Sequence, residues 1–371
     1  MSSGALDKIC RLCYYNLNER KGGSFRIDLI IRKHLDVKRE DVTITRVTGD
    51  LVEIPPDWER CKVTLAGNVV ECQTFMTAPR QPDAVKIDRD HYVTRSDGEV
   101  HEYKHAENKS QSSDSVRKTL TELRRIINTN CVRPECVRWV TLTYRQDEGV
   151  PVRDTTRVCA DYEKMWKKLQ RWCASNQISK PEYITVLEPQ ASGAWHLHCL
   201  WIWESKAPNI PKNRDVLVKL GLDPELPTLE SMWGQGFVSI KSASTDCDNI
   251  GAYMSAYLAD IPLDDVLKQP NAQSDLMHAE IKEVNDKRYI KGGRLHYYPS
   301  GIKLYRCSRG IRRPEVEWTT YGMAKKEMIP PGSEITYKKH VDVNALDKMG
   351  DAKTVQAITT IYYNTKSKKS K

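Results

Sequence analysis

The chain has 371 residues, of which 39% are hydrophobic and 29% charged, an ordinary globular composition with length enough for a sizeable core. Its net charge of +9 is modest for that length, and no apolar run approaches the ~20 residues a membrane helix needs, which argues against a membrane protein. The start, Met1 to Lys8, carries no apolar stretch of the signal-peptide kind, so a cytoplasmic location is expected, with the 11 cysteines mostly reduced. Cys10 and Cys13 would supply half of a zinc site; Cys131 and Cys136 are weaker candidates for the rest.

Residues 1–105 read as strand-rich, with short strands expected at 27–31 and 41–45 and a break at Pro55-Pro56. Val116, Leu120, Leu123 and Ile127 recur at helical spacing, which predicts an amphipathic helix over 113–128. The Arg138–Tyr144 segment alternates as a strand, and Tyr162, Met165, Trp166, Leu169 and Trp172 form the stripe of a helix over 160–175. Strands at 183–187 and 194–203, joined by turn-forming residues at 189–193, predict a β-hairpin. A strand at 236–240 and a helix at 248–259 follow, and then a second hairpin from 294–298 and 302–305. The expected fold class is α+β: a mainly antiparallel central sheet with packed helices and with N- and C-terminal extensions. Its expected divisions are 1–105, 106–262 and 263–371, the last ending in a basic tail at 366–371.

Two features carry chemistry. His196 and His198 stand two apart on a strand, so both project from one face, and Glu188 lies across the short turn. A carboxylate and two imidazoles can hold a divalent ion with open positions; Mn2+ and Mg2+ head a list on which zinc, iron and nickel also stand. The bland alternative is a pair of ordinary sheet histidines. On the helix over 248–259, Tyr253 and Tyr257 share a face beside an apolar stripe of Ile250, Met254 and Leu258. Phenols placed this way can act as paired nucleophiles, or can simply be core aromatics. Together the two groups make a phosphodiester transferase: a tyrosine oxygen attacks phosphorus, expels a 3′-hydroxyl and keeps the bond energy as a 5′-phosphotyrosine.

Basic residues gather in three places: Arg117, Lys118, Arg124 and Arg125; Lys287, Arg288, Lys291 and Arg294; and Arg306, Arg309, Arg312 and Arg313. They suit phosphate contacts, although each cluster alone is also what a solvated face looks like. Arg117, Arg124, Arg306, Arg309, Arg312, Arg313 and Lys241 are the candidate DNA-binding residues.

The stretch Trp139–Tyr144, the Glu188/His196/His198 set and the Tyr253/Tyr257 pair, in that order, resemble the motifs of HUH-superfamily endonucleases. The nearest likeness is to two-tyrosine rolling-circle replication initiators of bacterial plasmids and filamentous-type phages. The segments at 233–238 and 305–310 are similar to stretches of Gram-positive members. The resemblance implies a metal-dependent endonuclease and strand transferase acting on single-stranded or hairpin origin DNA, with a host helicase and polymerase as further partners. One departure is that Ala256, rather than a lysine, precedes Tyr257, so an auxiliary lysine is unsupported unless Lys241 takes its place. Three other readings stay open: a two-tyrosine transposase, a non-enzymatic DNA-binding protein on the same fold, and a cupin-type metal enzyme. Glu204 is poorly spaced for the cupin pattern.

Overall fold

The computed structural model describes residues 32–33, 42–45, 60–79, 82–145, 154–190, 194–243, 251, 260–262, 281–284, 287–290, 293–346 and 352–366. The chain divides into two units, residues 1–105 with 314–371, and residues 106–313. The first unit opens with β1 (Arg32–Lys33), β2 (Val42–Thr45), β3 (Cys61–Ala66) and β4 (Val69–Phe75). Gly67, at φ 60, supplies the left-handed turn that reverses β3 into β4. A small meander of β5 (Ala84–Lys86), β6 (His91–Thr94) and β7 (Val100–Glu102) follows. Of the two early strands expected, 41–45 corresponds to β2, whereas 27–31 lies outside the described residues.

The second unit begins with α1 (Ser113–Asn130), then β8 (Val137–Tyr144), α2 (Thr155–Ser175), β9 (Glu182–Pro189) and β10 (Trp195–Ile202). After α3 (Arg214–Lys219) and α4 (Leu229–Trp233) come β11 (Gly236–Ser242), β12 (Ile261–Pro262), β13 (Ile281–Val284), β14 (Lys287–Ile290) and β15 (Tyr305–Cys307). Its main sheet runs β11-β8-β10-β9-β15, and every pairing in it is antiparallel. The α+β class expected from the pattern is the one observed.

Helix α2 forms because Val158, Tyr162, Met165, Leu169 and Cys173 make one buried stripe, and because Asp154 caps it by accepting the Thr156 N–H at 2.8 Å. The stripe lies on the sheet face that carries Tyr144, Tyr183 and Trp201. There Trp166 packs edge-on against Tyr183 and Trp201 at 4.7 and 6.2 Å. Leu142, Leu197 and Cys199 are fully or almost fully buried on that same face. Burial of side chains this size stabilises the unit by about 1.5–3 kcal/mol per leucine. At the sheet edge Trp233 of α4 donates its indole N–H to the Thr143 carbonyl at 3.1 Å.

The expected second hairpin is not formed. Leu295–Tyr297 makes a short 3-10 turn, and Tyr305–Cys307 instead pairs with β9 as the edge strand β15. The reason is packing: Tyr298 is fully buried, stacks beside Trp195 at 5.5 Å and donates its hydroxyl to the Leu187 carbonyl at 2.7 Å. An aromatic anchored in this way cannot take part in an exposed two-stranded ribbon.

The chain then returns to the first unit through β16 (Glu315–Thr319), α5 (Tyr321–Met323), β17 (Glu334–Leu346) and β18 (Ala352–Asn364). The resulting sheet has the order β1-β2-β17-β18-β4-β3-β16. Its core gathers Cys61, Val63, Val70, Cys72, Tyr321, Ile361 and Tyr363. Among the described residues no helix is long and apolar enough to cross a membrane. Of the basic tail, residues 367–371 lie outside the described residues.

Candidate metal centre

Strand alternation and register build the centre. His196 pairs with Glu188 on β9 and with Thr143 on β8; two residues on, His198 pairs with Val186 and Thr141. Glu188 therefore does not fold back from a loop: it sits inside β9, on the same face as both histidines. The hairpin is closed by a 2.7 Å bond from the Gln190 N–H to the Ala194 carbonyl. One donor atom from each of Glu188, His196 and His198 lies within 4.8 Å of the others, a spacing that could hold one metal ion.

The donor chemistry fits such an ion. Burial, the largest cause, lowers the His196 pKa to about 4, so the ring is neutral near pH 7 and has a lone pair to offer. Its Nε2 is buried and has no hydrogen-bond partner. A buried polar atom left idle is costly, and a ligated metal removes that cost. His198 has Thr141 Oγ1 at 3.2 Å from Nδ1 and the Glu188 carboxylate at Nε2. With Nδ1–H donated to the hydroxyl, Nε2 is the nitrogen free to ligate. For Glu188 burial raises the pKa, but the His198 hydrogen bond and the charges of His198, Arg294 and His196 together outweigh it. Its carboxyl is held below the ordinary 4.5 and stays ionised.

Sequence reasoning missed two neighbours. Arg294, grouped above with exposed phosphate-binding cations, is only 6% exposed and forms an ion pair with Glu188. Thr141 was read as an ordinary strand residue. Its role depends on a β8–β10 register that joins positions far apart in the chain, and no local pattern signals it. Arg294 had a faint signal, a cation close before an aromatic pair, but nothing in the pattern pointed inward.

Of the candidate DNA-binding residues, Lys241 is exposed and pairs with Trp139 on the face that carries the histidines. Phe237 lies on that face too, opposite Thr143, and is 61% exposed. Arg306 is exposed but pairs with Thr185, so it projects from the opposite face. Arg309, Arg312 and Arg313 are exposed; Arg313 is held by Glu122 at 2.7 Å, and Arg312 reaches the Thr129 carbonyl at 3.3 Å. Arg117, half-buried on α1, pairs with Asp114 at 3.1 Å, and Arg124 is half-buried on the same helix. Tyr253 and Tyr257 lie outside the described residues, as do Cys10, Cys13 and Lys291. Cys131 and Cys136 are buried free thiols, and burial pushes Cys131 up to about 12, away from the thiolate a metal would need.

A second group, Asp97, Glu99 and His101, also has metal-ligand spacing. It lies at a solvent-exposed turn, and the His101–Asp97 separation of 4.0 Å makes it an ordinary surface pair.

Residues 137–261 match the family model of the replication-associated protein ORF2 type. The span runs from β8 to β12 and includes Glu188, His196, His198, Tyr253 and Tyr257. Over that span the resemblance to replication initiators is borne out, and it supports a role in starting DNA replication. No curated protein and no solved structure matches the chain.

Proposed function

We propose that the protein is a rolling-circle replication initiator that nicks one strand at an origin and later rejoins the displaced strand. The observation that carries this reading is the buried, partnerless His196 Nε2 beside Glu188 and His198, within a segment matched to replication-associated proteins.

Glu188, His196 and His198 would hold a divalent ion, Mn2+ or Mg2+, with Thr141 fixing the His198 ring. When bound, such an ion supplies Lewis-acid stabilisation of the charge that develops on the scissile phosphate. The phenol oxygen of Tyr253 or Tyr257 forms a bond to phosphorus as the bond to the 3′-oxygen breaks; the phenol proton is lost and the leaving 3′-oxygen takes up a proton. The 5′-phosphotyrosine keeps the bond energy, so a free 3′-hydroxyl can later reverse the step without ATP. A second tyrosine allows a second transfer while the first is occupied. Phe237 and Lys241, exposed on the metal face, give a flanking single strand an aromatic ring and a cation to lie against.

The test is to incubate the protein with single strands spanning its replicon's origin and Mn2+, and to look for a covalent protein–DNA adduct. The adduct should vanish in the Tyr253→Phe, Tyr257→Phe double variant. Its retention there would sink the assignment. His196→Ala should lose cleavage while keeping DNA binding.

A further inference from the structure

Arg294 makes more contacts at the centre than a charge-neutralising role requires. Its Nε donates to the Asp260 carbonyl at 2.6 Å, and Nη1 donates to the Pro189 carbonyl at 2.6 Å. Nη1 also pairs with Oε1 of Glu188, whose other oxygen, Oε2, faces His198. Arg294 and Glu188 are both buried, and so is Asp260. A guanidinium leaves water only where its charge and its N–H groups are met, and its rigid fork then fixes the groups it touches. Asp260 follows Tyr257 by three positions in the sequence.

Resting on the metal-dependent reading above, we infer that Arg294 is a positioning residue. It holds one carboxylate oxygen of Glu188, so that only the other is presented to a metal, and it ties the metal hairpin to the backbone just beyond the tyrosine segment. The first part has a chemical consequence. A carboxylate with one oxygen engaged is a one-oxygen donor. Released, it can close on an ion with both oxygens, which suits Ca2+, an ion that takes more oxygen ligands at longer distances than Mn2+ or Mg2+. Arg294 therefore contributes to metal preference as well as to the shape of the site.

The experiment uses full-length protein. Mn2+ binding is titrated by electron paramagnetic resonance, with Ca2+ as competitor, in the wild type, Arg294→Gln, Arg294→Lys and His196→Ala, with circular dichroism to confirm folding. The wild type should bind Mn2+ and His196→Ala should not. Arg294→Gln should lose Mn2+ preference over Ca2+ by about ten-fold, the scale of losses on removing groups that orient ligands. Arg294→Lys should keep the fold but recover the preference only in part, because an ammonium lacks the fork. Folded Arg294 variants with wild-type preference would overturn the inference and leave the functional reading standing. If the wild type shows no Mn2+ binding that depends on His196, the functional reading fails and this inference fails with it. Should both Arg294 variants misfold, the infrared carboxylate stretches of the Mn2+-loaded wild type decide. Splitting typical of one-oxygen ligation supports the inference; two-oxygen ligation overturns it.

Discussion

His196 and Glu188 occupy directly opposed positions on β10 and β9, which places an imidazole and a carboxylate side by side on one sheet face. In the metal-free protein the pairing is incomplete, because His196 Nε2 has no partner. An idle buried polar atom costs about 1–3 kcal/mol. His196→Leu should therefore raise the melting temperature in EDTA by a few degrees. Excess Mn2+ should raise the wild-type melting temperature and leave that of the variant unchanged. A lower melting temperature for His196→Leu in EDTA would show that the ring has a structural role instead.

The same histidine sets a pH dependence. Its folded pKa of about 4 lies below the ordinary 6.5, so between those values the unfolded chain takes up a proton that the folded chain refuses. Stability is thus lost as pH falls from 6.5 towards 4, by up to ~3 kcal/mol once below both values. Glu188 acts at the lower end: with its folded pKa depressed below 4.5, its contribution is present above 4.5 and disappears as pH falls through the folded value. Urea midpoints in EDTA at pH 7, 5.5 and 4.5 should decline steadily for the wild type. For His196→Leu the curve should be flatter above pH 4.5, and an unchanged slope would remove the assignment.

Phe237 is 61% exposed on the face that carries the histidines. Phe237→Ala should change folding stability by no more than about 0.5 kcal/mol, as surface substitutions do. Single-stranded DNA binding should weaken by about 1–3 kcal/mol, the usual loss of a base–aromatic stack. Fluorescence anisotropy with a labelled oligonucleotide reads this directly, and unchanged affinity would exclude Phe237 from the DNA path.

Gly236 begins β11 at φ 152, and a Cβ there would run into the Thr143 carbonyl and the Arg145 N–H on the neighbouring strand. Gly236→Ala should cost roughly 1–3 kcal/mol or more, because backbone cannot yield as a flexible side chain can. Denaturant titration would show the loss; a neutral result would mean that the β8–β11 edge is looser than described.

Much of the central sheet was legible because its strands alternate cleanly. The Arg138–Tyr144 prediction became Val137–Tyr144, and the two strands of the metal hairpin were placed within two residues of their observed ends. The His-x-His spacing announced a shared face in the same way. What stayed hidden was long-range. Tyr298 looked like a hairpin residue until its hydroxyl was seen on the Leu187 carbonyl. Arg294 looked solvated because sequence records charge and not burial. The long strands β17 and β18 were also missed. In β18 Ala357, Thr359, Ile361 and Tyr363 alternate inward, but two of those four are small or polar, so the period-two signal is faint.

The interleaving of β2, β17, β18 and β4 in one sheet has a consequence for biosynthesis. Residues 106–313 are continuous in sequence, whereas the surrounding unit needs strands from both sides of that segment. On the ribosome, the candidate metal centre can close on itself while the partners of β2 and β4 are still untranslated. During that interval β4 exposes an unpaired strand edge, so the hazard for a newly made chain lies in the split sheet, and the segment carrying the chemistry is complete first.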